Sequence, residues 1–492
     1  MAVSGVLDLD ATLSSLPPVK PESLKLRHEI RSNIRNPTGK KTTPLLVILD
    51  DDPTGTQTCH DVVILTVWDV ERIISALQAV GPGGGFFILT NSRALHPPQA
   101  RELMIEICTN LQSASQQTGL PYEIVLRGDS ILRGHFPLEP EAVEEVLGPV
   151  DAWILCPFFL QGGRYTIGDI HYVCENNKLI PAAETPFAKD ATFGYKSSNL
   201  RDYVVEKSQG QIPYQDIASI DLDTIRTGGP DAVLEQVMKR LNNSTCRVVF
   251  VINAAADEDM DVVVAALLQA SQLGKRFLFR TGAAFVSSRL GISQIPPLSA
   301  KQLGLTGKLG GLIIAGSYVP KTTAQLEALT EKAGDRITTI TLDVQRLLKS
   351  PEEGNADIQR AITLASEEIQ RGQDVLVMTS RKLIVGQDAV ESLDIGSTVA
   401  KALVSFLQQL DQKPRYIIAK GGITSSDMAT KGLRMKRAMI LGQAAPGVPI
   451  WRCDEVTSKW PGLTYVVFPG NVGSNEGLYE VVSQWRRNEE EN

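Results

Sequence analysis

The stretch Leu45-Leu46-Val47-Ile48-Leu49-Asp50-Asp51-Asp52-Pro53-Thr54-Gly55 runs five apolar residues directly into three carboxylates and a Pro-Thr-Gly turn. A short run with no polar face suits a central strand of a parallel sheet, which helices cover on both sides. Ligands of such sheets bind outside the carboxyl ends of the strands, where Asp50, Asp51 and Asp52 fall. Three adjacent carboxylates repel one another, so a cationic partner is expected: a metal, an arginine or the protons of a substrate. The plainer alternative makes the acids an N-cap for the next helix, with Thr54 and Gly55 as ordinary turn residues.

Outward from this segment, short apolar strands alternate with amphipathic helices, the pattern of doubly wound α/β folds. Strands are expected at Leu45–Leu49, Phe86–Leu89, Glu123–Leu126, Trp153–Cys156, Val248–Ile252 and Phe277–Phe279, with helices over Val70–Val80, Gln99–Gln116 and Pro140–Leu147. The less periodic region from Gly162 to Pro230 predicts long loops or an inserted subdomain near the site. Between Gly291 and Gly310 the chain turns Pro-, Ser- and Gly-rich, the best linker it offers. A second series follows, with strands at Leu312–Ala315, Ile337–Thr341, Val375–Met378, Tyr416–Ala419 and Tyr465–Phe468. A chain of 492 residues exceeds one core. The expectation is two doubly wound α/β domains with mainly parallel sheets and a cleft between them. A loosely ordered extension over residues 1–43 precedes domains at 44–295 and 305–488.

Bulk properties narrow the function. A composition of 43% apolar and 21% charged residues is ordinary for a globular protein. The net charge of −7, without a Lys/Arg block, argues against a nucleic-acid partner. Small anions remain admissible, because a local basic pocket can sit on an acidic protein. Six cysteines without a C-x-x-C pair fit reduced thiols in a cytoplasmic enzyme. No signal-peptide-like or membrane-spanning run is present, so no membrane partner is expected.

Three strand ends in the first half carry polar clusters: Asp50–Thr58, Thr90–Arg93 and Arg127–His135. Arg133 offers a planar fork of donors suited to a carboxylate, and Gly162-Gly163-Arg164 adds another arginine behind two glycines. A surface ion pair is the commonplace reading of any one arginine. Together with the acids they favour a pocket for a polyhydroxy acid. In the second half, glycine clusters follow three apolar strands: Gly316-Ser317, Lys420-Gly421-Gly422-Ile423-Thr424 and Gly470-Asn471-Val472-Gly473. Glycines let backbone N–H groups approach an anion, and a helix start after Ser317, carrying Thr323 and Gln325, suits phosphate oxygens. One such loop is usually structural, whereas three in one domain favour nucleotide phosphates. The Walker pattern is absent, so this is no P-loop enzyme. His60, His96, His135 and His171 lack ligand spacing, and no metal ligand is assigned.

These motifs, in this order, resemble the four-carbon acid sugar kinases. The resemblance runs from residue 44 to residue 485 and rests on DDPTG at Asp51–Gly55, DSILRG at Asp129–Gly134 and GGR at Gly162–Arg164, then on GS, KGGIT and GNVG in the second half. It implies an ATP-dependent kinase acting on the terminal hydroxyl of a threonate-, erythronate- or 3-oxo-tetronate-type acid. Asp51 is then the base, and Asp52, Thr54, Gly55, Ser130, Arg133 and Arg164 form the acid-sugar site. Ser317, Lys420–Thr424 and Gly470–Gly473 form the ATP site, with Mg²⁺ bridging the phosphates. It also leaves room for a homo-oligomer and for a pathway aldolase or dehydrogenase as partner. The chain departs from the pattern at Thr58, where many members carry an acid, and at Leu160 and Gln161, where Pro and Glu are frequent.

Two rivals compete. Asp50-x-Asp52-x-Thr54 fits the signature of haloacid-dehalogenase-like phosphatases, with Asp50 as nucleophile and Asp52 as general acid. That reading leaves the glycine-rich half unexplained. A non-catalytic sugar-acid-binding relative is the other, favoured mildly by Thr58.

Overall fold

The structure, a computed structural model, describes residues 5–35, 43–316, 319–380 and 389–486. It separates into two compact units, Met1–Gln294 and Ile295–Asn492, dividing within the Pro/Ser/Gly-rich segment.

The strands of the first unit are β1 (Leu7–Asp8), β2 (Leu45–Asp50), β3 (Val62–Leu65), β4 (Gly85–Leu89), β5 (Tyr122–Arg127), β6 (Ala152–Cys156), β7 (Arg164–Ile167), β8 (Ile170–Glu175), β9 (Lys178–Pro181), β10 (Ile217–Ile220), β11 (Val248–Ile252) and β12 (Phe277–Thr281). Eight of them form a parallel sheet in the order β10-β11-β6-β12-β5-β2-β4-β3. All six residues of β2 are buried, as a central strand covered on both faces requires. The chain leaves β2 toward β4 and β3 on one side and later crosses to β5 on the other. The carboxyl end of β2 is therefore a topological switch point. Register sets Asp50 opposite Leu89 of β4 and Arg127 of β5.

The region from Gly162 to Pro230 supplies β7, β8 and β9, which β1 extends to a four-stranded antiparallel sheet in the order β1-β9-β8-β7, and the helix Leu200–Lys207. The N-terminal segment departs from expectation. Residues 5–35 are not loosely ordered: β1 pairs with β9, and the helices Leu9–Ser15 and Ser23–Arg35 follow. The second helix buries Ile30 and Ile34, and its Arg27 pairs with Asp261 at 2.8 Å. A polar average conceals one narrow apolar face of this kind.

The second unit contains β13 (Leu312–Ala315), β14 (Ile337–Leu342), β15 (Asp374–Thr379), β16 (Tyr416–Lys420), β17 (Arg437–Ala445), β18 (Val448–Cys453) and β19 (Thr464–Phe468). Their order is β17-β18-β19-β16-β13-β15-β14, with the β17–β18 and β18–β19 pairs antiparallel and the pairs from β19 to β14 parallel. The core on one face gathers Ile313, Leu326, Leu329, Ile418, Val466 and Trp485. The three glycine clusters follow β13, β16 and β19, which are adjacent strands, so the sheet brings those loops to one edge.

Candidate active site

The site in the first unit is built on β2, β4, β5 and β12, with one arginine from β7. Its three consecutive acids have different surroundings. Asp50 is fully buried; its carboxylate faces Arg127 at 3.3 Å, while Oδ2 has no hydrogen-bond partner among the described residues. The packing partner on its other side is Gly55, where a Cβ would lie 1.9 Å from Asp50 Oδ1, so only glycine fits the turn. Burial pushes the Asp50 carboxyl up to about 8, with Arg127 working against the shift. Burial thus favours the proton on Asp50, a poor setting for a phosphatase nucleophile.

Asp52 caps the short turn Pro53–Thr56: Thr54 donates its N–H to Oδ1 at 2.9 Å and its hydroxyl to the same oxygen, and Arg93 pairs with Oδ2. Burial works to raise this carboxyl, but Arg93 and the Thr54 bonds outweigh it and hold it below the ordinary aspartate range. The cap reading and the ion-pair reading are both realised in Asp52. Asp51 differs from its neighbours. It is 3% exposed, and among the described residues neither oxygen has a hydrogen-bond partner. Arg93 and Arg127 stand 3.9 Å from Oδ1 and Arg280 3.8 Å from Oδ2. Its lone pairs are free of hydrogen bonds from the described residues, so a hydroxyl brought to them can donate there.

Arg93 bridges Asp51, Asp52 and Asp129; burial opposes its charge, and the three carboxylates outweigh that and raise its pKa. Asp129 accepts from Arg133 Nε at 2.6 Å, and the pull of Arg133 and Arg93 lowers its pKa against burial. Arg164 at the start of β7 is mostly buried, its Nε has no partner among the described residues, and burial lowers its pKa. Ser130 is buried, and its carbonyl accepts from His171 Nε2 at 2.7 Å, which puts the ring proton on that nitrogen. Burial pushes His171 down to about 4, so it is a neutral strut between β8 and the Asp129–Gly134 loop. Thr58 is buried and donates to the Ala283 carbonyl at 2.8 Å, whereas Gln161 reaches Asp257 at 3.2 Å.

Arg93 and Arg127 fall in strand-end clusters marked from the sequence without a site role of their own, and Arg280 was not marked at all. Arg280 ends the apolar run Phe277–Phe279, and its polarity at a strand's carboxyl end was the signal to be read. Five arginines gather around Asp50, Asp51, Asp52 and Asp129, and with Asp50 protonated three of those carboxylates are charged. The surplus is cationic and suits an anionic ligand.

Asp50 makes a test of this electrostatic reading. A folded chain that keeps the proton to about pH 8, against about 4 for an unfolded aspartate, is stabilised fully below pH 4 and loses that contribution as pH rises to about 8. Asp50→Asn is expected to flatten the fall in Tm between pH 4 and 8 when thermal unfolding is followed across that range. An unchanged slope refutes the protonated Asp50.

In the second unit, a Cβ on Gly316 would lie 3.2 Å from the Thr424 hydroxyl, so the loops after β13 and β16 touch. Gly421 has φ +106°, outside the range ordinary side chains adopt, and donates to the Phe468 carbonyl at 2.8 Å. Gly473 is also left-handed, at φ +83°. Gln325, on the helix Pro320–Ala333, donates to the carbonyls of Val472 (3.0 Å) and Ser474 (2.7 Å), and Thr322 donates to that of Gly470 (3.4 Å). Ile423 is 67% exposed beside these glycines, and Gly422 begins its short helix. Asn471 lies in the same loop as Gly470, whereas Ser317 lies outside the described residues. Lys420 is turned inward: it is fully buried, its Nζ donates to the Pro469 carbonyl at 2.5 Å, and it lies 4.7 Å from the Phe468 ring centroid. Burial pushes Lys420 down to about 7. Its place is behind the Gly470 loop. Lys420→Met is expected to raise KM for the nucleotide about tenfold by freeing that loop, with Tm only slightly lowered, as measured by nucleotide titration. An unchanged nucleotide KM refutes the bracing role.

Comparison with known proteins gives the same division. Residues 46–289 match a sugar-binding N-terminal domain, and residues 312–478 match a nucleotide-binding C-terminal domain. The chain is 24% identical to D-erythronate kinase of Heliobacterium modesticaldum over 364 residues, 73% of this chain and 75% of that one. It is 26% identical to 3-oxo-isoapionate kinase of Paraburkholderia graminis over 172 residues, 32% of this chain and 36% of that one. Two crystal structures share the fold. One is a Haemophilus influenzae protein with a domain of unknown function (TM-score 0.59, 15% identity, covering 89% of this chain and 99% of that one). The other is a Salmonella typhimurium LT2 protein solved under a provisional tRNA synthase name (TM-score 0.64, 16% identity, covering 90% and 100%). With both domain matches in sequence along it, the chain belongs to the four-carbon acid sugar kinase family.

Proposed function

We propose that the chain transfers the γ-phosphate of ATP to the terminal hydroxyl of a four-carbon sugar acid of the threonate, erythronate or 3-oxo-tetronate type. One observation carries the reading: among the described residues, buried Asp51 has no hydrogen bond on either oxygen although Arg93, Arg127 and Arg280 stand near, and Arg164 keeps a nitrogen with no hydrogen-bond partner. A sugar acid supplies what these groups lack, a hydroxyl proton for Asp51 and a carboxylate for Arg133 and Arg164. The loops after β13, β16 and β19 hold the triphosphate through backbone N–H groups. Among the described residues no group of three or more His, Cys, Asp and Glu is arranged to hold a metal. Mg²⁺ would arrive on the triphosphate and neutralise charge there. Burial, which pushes the Asp50 carboxyl up to about 8, disfavours the phosphatase reading, since a nucleophile must be ionised.

The test is ADP formation with ATP and a panel of erythronate, threonate and their oxo forms. ADP released only when an acid is present supports the proposal. ADP formation independent of every acid, or phosphate release from phosphoesters without ATP, overturns it. Erythronate is the first member to try, from the name of the relative matched over most of this chain.

A further inference from the structure

We propose that Arg280, at the carboxyl end of β12, is a positioning residue for phosphoryl transfer that fixes the Gly128–Gly134 loop and sets its charge beside Asp51, which faces the acceptor hydroxyl. The inference rests on the kinase reading for its catalytic half only; the packing half stands alone.

β12 lies beside β5, so the Arg280 guanidinium passes under the loop that leaves β5. Its space is cut out of that loop's backbone. A Cβ on Gly128 would fall 0.9 Å from Arg280 Nη1, and one on Gly134, at φ +126°, would fall 2.5 Å from Nη2. No side chain fits at 128 while the arginine stays. Two glycines of the segment Arg127–His135 are thereby explained by a residue well over a hundred positions away. The same Nη2 donates to the Arg133 carbonyl at 3.1 Å, which fixes the backbone from which Arg133 reaches Asp129.

Arg280 is also placed to act on charge. Three arginines surround Asp51, but Arg93 is shared with Asp52 and Asp129, and Arg127 stands closer to Asp50. Among the described residues, Asp51 is the one carboxylate that Arg280 pairs with, at 3.8 Å, and the arginine itself is only 7% exposed. Two titratable groups complete the surroundings. His135 donates to the carbonyls of Ser92 or Leu95, and burial lowers its pKa. Glu139 accepts from Ser92, and burial raises it to about 7, with Arg280 opposing. At 3.8 Å Arg280 is a neighbour to Asp51 without capturing its lone pairs, which leaves them for the substrate.

Two experiments read the two halves. In a thermal-unfolding cycle, Gly128→Ala is expected to lower Tm markedly in the native chain and to add nothing in an Arg280→Ala background, because the clash needs the guanidinium. Additive losses overturn the packing. In steady-state kinetics with ATP and the acid the native enzyme phosphorylates, Arg280→Gln is expected to lower kcat about 10- to 100-fold with KM for ATP unchanged. The acid limb of its kcat/KM profile is expected to move up by about one pH unit, since a carboxylate that loses a cationic neighbour is protonated more readily. Arg280→Lys, which keeps the charge, is expected to restore the limb. An unmoved limb in Arg280→Gln, or a limb that Lys fails to restore, overturns the catalytic half. A native enzyme that phosphorylates no acid overturns the kinase reading instead, and the unfolding cycle still decides the packing.

Discussion

Asp51→Asn is expected to lower kcat about 10³-fold while leaving KM for ATP within about twofold of the native value. The amide keeps the size of the carboxylate but cannot take a proton, so the loss falls on the transfer step. The surroundings make the effect large: Arg93, Arg127 and Arg280 all stand within 3.9 Å, and no hydrogen bond from the described residues competes for its oxygens. Asp52→Asn is the comparison. That side chain is already engaged by Arg93 and Thr54, so its loss weakens the turn and the arginine without removing a proton acceptor. Rapid-quench or coupled ADP assays separate the two. Native-like turnover in Asp51→Asn refutes the assignment of the base.

The second large effect is on binding. Arg164→Met is expected to raise KM for the sugar acid about 100-fold, the loss of a charged hydrogen-bonded contact in a mostly enclosed pocket, with kcat at saturation much less affected. Arg164→Lys recovers part of it, since a single ammonium lacks the planar fork that meets both carboxylate oxygens. The discriminating substrate is the alditol of the same carbon chain. It carries no carboxylate, so the native enzyme uses it poorly and the Met variant no worse. An equal penalty on acid and alditol refutes carboxylate recognition by Arg164.

Much of this was legible in the amino-acid sequence, and the reasons for the remainder are physical. Parallel strands buried on both faces are continuous apolar runs, which is why Val248–Ile252 and Leu312–Ala315 were located to the residue. The hairpin β17–β18 was not located, because the apolar residues Ala438–Leu441 are cut short by Gly442 and Gln443 inside the strand Arg437–Ala445. β3 is four residues long at the sheet's edge in the first unit, and β7 to β9 lie in a glycine- and asparagine-rich stretch. In the site, Asp51, Arg133 and Arg164 announce themselves by motif. Arg280 and Arg93 do not, because their roles depend on which strands are neighbours, and that order is not written in local spacing. Lys420 shows the opposite failure: a lysine beside two glycines invites a phosphate contact, yet the residue turns into the core to a backbone carbonyl.

The four-stranded sheet β1-β9-β8-β7 has a bearing on how acceptor preference diverges. Arg164 is carried by that appended sheet, whereas Asp51 and Arg280 are carried by the main one, and His171 ties the two through the Ser130 carbonyl. Under the proposed function, one of the two arginines assigned to the acid, Arg164, thus sits on a different piece of chain from the group assigned to the hydroxyl, Asp51. Substitutions in the appended sheet can retune which acid is accepted while the reaction step stays as it was. A graft of residues 164–181 between relatives is accordingly expected to shift acceptor preference while leaving the transfer step unchanged.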